Sequence, residues 1–117
     1  MVIFVFGSNL LGRHGRGAAR TARHKYGAQA GVGEGRTGES YAIPTKDYYL
    51  RPRSLDEIRE SVERFLDYAR DNPKLQFRVT RIGCGLAGYK PEQIAPMFSR
   101  APANCLMPDW ENSRERS

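Results

Sequence analysis

The apolar positions of the chain fall into short blocks separated by glycine. Residues 2–6 form an unbroken apolar block of strand length, too short and too closely bracketed by glycine for a helix. The block breaks at Gly7-Ser8-Asn9 into a glycine-rich turn. Small residues, Ala18, Ala19 and Ala22, then predict a helix over about residues 15–26 that stops at Gly27. Arg20, Arg23, His24 and Lys25 load its later turns with positive charge, which suits the negative end of the helix dipole and marks His24 as a surface charge. Residues 28–40 hold Gly31, Gly33, Gly35 and Gly38 without periodicity and read as a loop.

Tyr41-Ala42-Ile43 reads as a short strand ended by Pro44, with a linker over residues 48–53. The clearest element follows. Ser54 and Glu57 have capping-box spacing, and Leu55, Ile58, Val62, Phe65, Leu66 and Ala69 share one helical face until Asn72-Pro73 stops the helix. A strand over residues 77–82 has imperfect alternation, because Arg81 shares a face with Phe77 and Val79. It runs into Gly83-Cys84-Gly85-Leu86-Ala87-Gly88-Tyr89, after which Pro91 opens a short helix that Pro96 shortens or bends. Residues 103–107 read as a last short strand, Pro108-Asp109-Trp110 as a segment packing back on the body, and residues 111–117 as a frayed, flexible tail.

This alternation predicts an α/β protein: one three-layer α/β/α domain over residues 1–110, with a mixed sheet of about four or five strands. A chain of 117 residues has room for one modest core. A homo-oligomer that covers the edge of so short a sheet is compatible with the pattern. At 39% hydrophobic and 27% charged the chain is globular. No apolar run reaches membrane-spanning length and no signal pattern opens the chain, so a cytoplasmic protein with no membrane partner is expected. Cys84 and Cys105 lack CxxC or histidine spacing and are expected to be reduced thiols, with no metal site and no cofactor.

The net charge of +6 comes mostly from arginine, since only Lys25, Lys46, Lys74 and Lys90 are lysines. Arginine forks suit phosphates and planar anions. Nucleic acid is the weaker reading, because the arginines are spread along the chain and no reading motif accompanies them.

A strand feeding a glycine turn and a helix start is a ready anion site. The backbone can approach a ligand closely there, and the first helical N–H groups lack internal partners. This unit occurs twice, at Gly7, Ser8, Gly15 and Gly17 and again at Gly83 to Tyr89, so the second set of free amides can meet the first. The run holding Gly33 and Gly35 either wraps the ligand or merely connects. His14 is the only histidine in a glycine loop and either transfers protons or simply hydrogen-bonds. Lys46 and Asp47, at a strand's carboxyl end, either position a ribose and act as an acid–base pair or form an exposed ion pair. Cys84 has no basic neighbour in sequence to activate it and reads as a packing residue.

Three of these segments, in order, make the chain resemble the macro domain, the α/β module that binds ADP-ribose. They are Gly7-Ser8-Asn9-Leu10-Leu11-Gly12-Arg13-His14-Gly15-Arg16-Gly17-Ala18-Ala19, then Thr37-Gly38 before a strand, then Cys84-Gly85-Leu86-Ala87-Gly88-Tyr89-Lys90-Pro91. The resemblance spans residues 2–98, and the Gly-Ser-Asn opening is also similar to that of short bacterial and phage proteins. It implies that Gly85, Leu86, Ala87 and Gly88 grip a diphosphate, that Tyr89 belongs to the same loop site, and that Asn9 bonds a ribose. The family also includes ADP-ribosyl hydrolases, and for such an activity the catalytic candidates are Asn9 from the resemblance and His14, Lys46 and Asp47 from their own positions in the chain. Arg16, however, stands where many hydrolytic members carry an aspartate, so that mechanism does not transfer. Ala87 occupies a position that is often aromatic, and the acidic residue that contacts adenine has no counterpart. The alternatives are a non-catalytic sponge or sensor of a cyclic or modified nucleotide, and a basic nucleic-acid-binding module.

Overall fold

Strand β1, Val2–Asn9, is the centre of the molecule. Its alternation sorts two cores: Ile3 and Val5 face one side of the sheet, Phe4 and Phe6 the other, and all of them are buried. The structure is a computed structural model and describes residues 1–111. Apart from Glu111, the tail expected to fray lies outside the described residues.

The sheet order is β2-β3-β1-β4-β5, with β2 at Gly35–Thr37, β3 at Ser40–Lys46, β4 at Gln76–Val79 and β5 at Cys105–Leu106. β1 lies parallel to both β3 and β4, β4 is parallel to β5, and only β2 runs antiparallel, against β3. This is the mixed sheet the alternation predicts.

Helix α1, Gly17–Lys25, covers the Phe4 and Phe6 face. Its inward residues Ala19 and Ala22 are small, so it sits close, and Tyr26 past its end stacks on Phe4 with ring centroids 4.5 Å apart. Helix α2, Leu55–Asp71, covers the opposite face through Ile58, Val62, Phe65, Leu66 and Ala69. Its capping box is formed: the Glu57 amide donates to Ser54 Oγ at 3.1 Å and the Ser54 amide to Glu57 Oε1 at 3.0 Å. Helix α3, Pro91–Ile94, is short as expected and continues as a 3-10 turn at Ala95–Phe98, where Pro96 sits. Helices on both faces of one sheet give the three-layer α/β/α arrangement.

Four details differ from the sequence expectation, the simplest being that β4 ends at Val79 and not at Ile82. β1 does not break at Gly7 but runs on to Asn9, paired with β3. β2 lies where a loop is expected and forms because residues 35–37 pair back on Tyr41 and its neighbours. β3 passes through Pro44 instead of ending there. The Pro44 carbonyl accepts from Arg53 Nη1 at 2.8 Å, beyond the end of β2, so its missing N–H faces an edge where no ladder partner is needed.

Candidate functional site

With β3 and β4 on either side of β1 and α1 and α2 on opposite faces, the chain turns in opposite directions out of the sheet's carboxyl edge. Open α/β sheets leave a crevice at such a point. Here it is a cleft of about 800 Å³.

Its floor is the strand ends. Gly7, Ser8 and Asn9 come from β1, Thr45 and Lys46 from β3, Thr80 and Arg81 from the chain just past β4. Threonines stitch these ends together: Thr80 Oγ1 donates to the Val5 carbonyl at 2.7 Å and Thr45 Oγ1 to the Ser8 carbonyl at 3.3 Å.

The walls are the two glycine loops. From the first come Arg13, Gly15 and Arg16 and the start of α1 at Gly17, Ala18 and Ala19; from the second come Gly83, Cys84, Gly85, Leu86 and Ala87. The two bends that the sequence doubles therefore share one cleft.

Both loops present unused donors. The amides of Gly85, Leu86 and Ala87 donate to no acceptor among the described residues. The same holds for Gly15, Arg16 and the first α1 residues, Gly17, Ala18 and Ala19. Where α2 caps itself, α1 does not: Arg16 makes no side-chain cap and the first turn has no acidic residue. The cleft adds Arg13 and Arg16 from its wall, Lys46 and Arg81 from its floor and, among the described residues, no carboxylate. Free amides, an uncapped helix start and cations together favour an anion.

Asn9 lines the cleft, but its side chain is engaged in shaping the loop: Nδ2 donates to the Arg13 carbonyl at 2.9 Å and Oδ1 accepts from the Arg13 amide at 3.1 Å. Ser8 is buried and its hydroxyl donates to the Gly33 carbonyl, so only its backbone faces a ligand. Cys84 is half-buried in the wall, and burial pushes its thiol above the ordinary value, which fits the packing role.

Several expected site residues lie elsewhere. His14 is buried, 2% exposed, edge-on to Phe6 at 5.3 Å, and is not among the residues lining the cleft. A ring shut away from the cleft is not placed to move a substrate proton. Asp47 turns back on its own loop, Oδ1 accepting from the amides of Tyr49 at 2.8 Å and Arg51 at 3.0 Å, so it makes no acid–base pair with Lys46. Gly33 and Gly35 do not wrap the cleft. Gly33 packs on the β1 exit, where a Cβ would stand 2.5 Å from the Asn9 carbonyl oxygen, and Gly35 starts β2. Gly88 spends its amide on the Gly85 carbonyl at 3.0 Å, and the Tyr89 hydroxyl donates to the Arg53 carbonyl; both shape the second loop from behind.

Arg13, Leu50, Thr80 and Arg81 are cleft residues the sequence alone does not mark as such, whereas Thr45 stands with Lys46 at the strand end where a ligand is expected. Only Arg81 left a signal, a charge on an otherwise apolar strand face. It sits past the end of β4, its Nε donating to the Trp110 carbonyl at 2.9 Å, while Trp110 packs on Phe98 as the segment's composition suggests.

The fold and cleft define an α/β protein with a cationic, amide-lined crevice at the carboxyl edge of its sheet. No protein-family profile and no curated protein matches the chain. A solved structure from Bacteroides thetaiotaomicron, described as a protein of unknown function, shares the fold with a TM-score of 0.60 and 18% identity, over 86% of this chain and 81% of that one. Among the described residues, no helix is long and apolar enough to cross a membrane.

Proposed function

We propose that the cleft holds the diphosphate of a nucleotide, ADP-ribose or a close relative, and holds it without hydrolysing it. One observation carries the reading: residues with uncommitted amides, from two glycine loops, line a single cleft whose charged side chains, among the described residues, are all cations. Amides fixed by loop geometry need little ordering on binding, and two sets of them suit two phosphates better than one. The macro-domain resemblance supplies the nucleotide; the geometry supports its diphosphate.

The absence of turnover rests on chemistry. Hydrolysis of a glycosyl bond is accelerated by a protein group placed to take a proton from water. Among the described residues the cleft is lined by no carboxylate and no histidine, with His14 and Asp47 both held away from it. A sponge or sensor is therefore favoured over a hydrolase. Two free thiols suit a reducing, cytoplasmic setting.

Isothermal titration with ADP-ribose tests the proposal. Saturable heat is expected, with ligand recovered unchanged on chromatography after long incubation. No heat at millimolar ligand overturns the binding, and free ADP-ribose released from an ADP-ribosylated substrate overturns the inert reading.

A further inference from the structure

Past β3 the chain makes a tight turn that carries Tyr48, Tyr49 and Leu50 in succession, 62%, 77% and 40% exposed. Consecutive large apolar side chains left in water are a departure from ordinary surface composition that a binding role explains. The turn is firmly built. The Asp47 amide donates to the Arg51 carbonyl at 2.8 Å, the Leu50 amide to the Asp47 carbonyl at 3.0 Å, and Asp47 Oδ1 collects the amides of Tyr49 and Arg51. An isolated bridge between Lys46 and Pro52 closes its base. Leu50 has a φ of +62°, the one positive φ outside glycine among the described residues, so the turn holds it in a conformation that side chains resist. Leu50 also lines the cleft, next along the chain from the exposed tyrosines.

We propose that this turn is a stacking platform for an aromatic base, so that the ligand gripped at the glycine loops is a nucleoside diphosphate and not merely a sugar or inorganic diphosphate. The inference rests on the diphosphate reading and adds the chemistry of the ligand's other end. The Arg51 guanidinium lies 4.9 Å from the centroid of the Tyr49 ring, over one face. The residue is still 77% exposed, so the opposite face is open to a planar partner. A base laid there completes a stack of guanidinium, phenol and base, one residue along the chain from Leu50, which lines the cleft. Stacking of this kind accepts any base, so the platform selects nucleotides as a class.

The test compares two ligands of matched charge at the phosphate end, ADP and methyl diphosphate, on the full chain and on the double variant Tyr48→Ala/Tyr49→Ala. The full chain is expected to bind ADP about fivefold or more tighter than methyl diphosphate, and the double variant to lose that advantage while binding methyl diphosphate unchanged. Tyr49→Phe, which keeps the ring, is expected to keep the advantage. Equal binding of the two ligands by the full chain, or an ADP advantage that survives in the double variant, overturns the platform while leaving the diphosphate grip standing. Failure of the full chain to bind either ligand overturns the grip, and the platform falls with it.

Discussion

Gly7 and Gly83 meet at the floor of the cleft: a Cβ on Gly7 would stand 3.7 Å from the Gly83 amide nitrogen. One belongs to the carboxyl end of β1 and the other opens the loop beyond β4, so the contact is where the two glycine-rich segments become one site. Each can be altered without touching the cations of the wall.

The two positions are expected to respond differently. Gly83 has a φ of +74° and an added methyl would stand 3.2 Å from Ile94 Cδ1, so Gly83→Ala strains the loop and crowds α3. It is expected to cost about 1–3 kcal/mol in urea denaturation and to weaken ADP-ribose binding about tenfold. Gly7→Ala makes ordinary contacts only and is expected to stay within about 1 kcal/mol of the parent. Equal losses at the two positions would contradict this account of the floor.

His14 predicts a pH dependence. Burial holds its imidazole below the ordinary 6.5; a nearby Val32 backbone group favours the charged ring without outweighing burial, and Arg23 adds to the lowering. Among the described residues neither ring nitrogen has a hydrogen-bond partner. The folded chain thus binds a proton less readily than the unfolded chain. Its contribution is intact above about pH 6.5 and is lost as pH falls below that value toward the folded-state pKa. His14→Leu is expected to flatten the fall in the urea midpoint between about pH 7 and pH 5. An unchanged slope would show that this histidine does not set the acid sensitivity.

The α2 cap is expected to matter for stability and not for the ligand. Ser54→Ala removes the hydroxyl that accepts the Glu57 amide and is expected to cost about 1 kcal/mol, read as a lower thermal midpoint, with ADP-ribose affinity unchanged. A change in affinity would mean that α2 is coupled to the cleft in a way the packing does not provide.

Charge lining the cleft is expected to set affinity and its dependence on salt. Arg81 lines the cleft, while Arg20 is exposed and outside it. Arg81→Gln is expected to weaken ADP-ribose binding by about tenfold and to reduce its sensitivity to salt, with Arg20→Gln near the parent. Similar effects of the two would point to a diffuse surface field. Tight, steeply salt-dependent binding of unrelated RNA or DNA with no competition from ADP-ribose would favour the nucleic-acid reading.

The elements legible in the sequence are those specified by their own residues. The β1 block, the Ser54–Glu57 cap, the α2 stripe and Pro91 at a helix start each carry a local signal, and both glycine loops stand out by composition. What was not legible depends on partners distant in the chain. β2 exists because β3 is there to pair with, and Pro44 is tolerated because β2 is too short to reach it. Gly33 reads like a flexible ligand loop, but it is small because the Asn9 carbonyl passes where a side chain would be. His14 reads like exposed chemistry because nothing in a glycine loop announces that Phe6 lies beneath it. Asp47 looks like half of an acid–base pair until its turn folds back and supplies amides to its carboxylate.

The most direct test of the shared cleft is an amide-resolved titration of 15N-labelled protein with ADP-ribose. Gly85, Leu86 and Ala87 are expected to move together with Gly15, Arg16 and Gly17, along one saturation curve, while Gly33 and Gly88 move less. Shifts confined to one loop, or centred away from both, would contradict it.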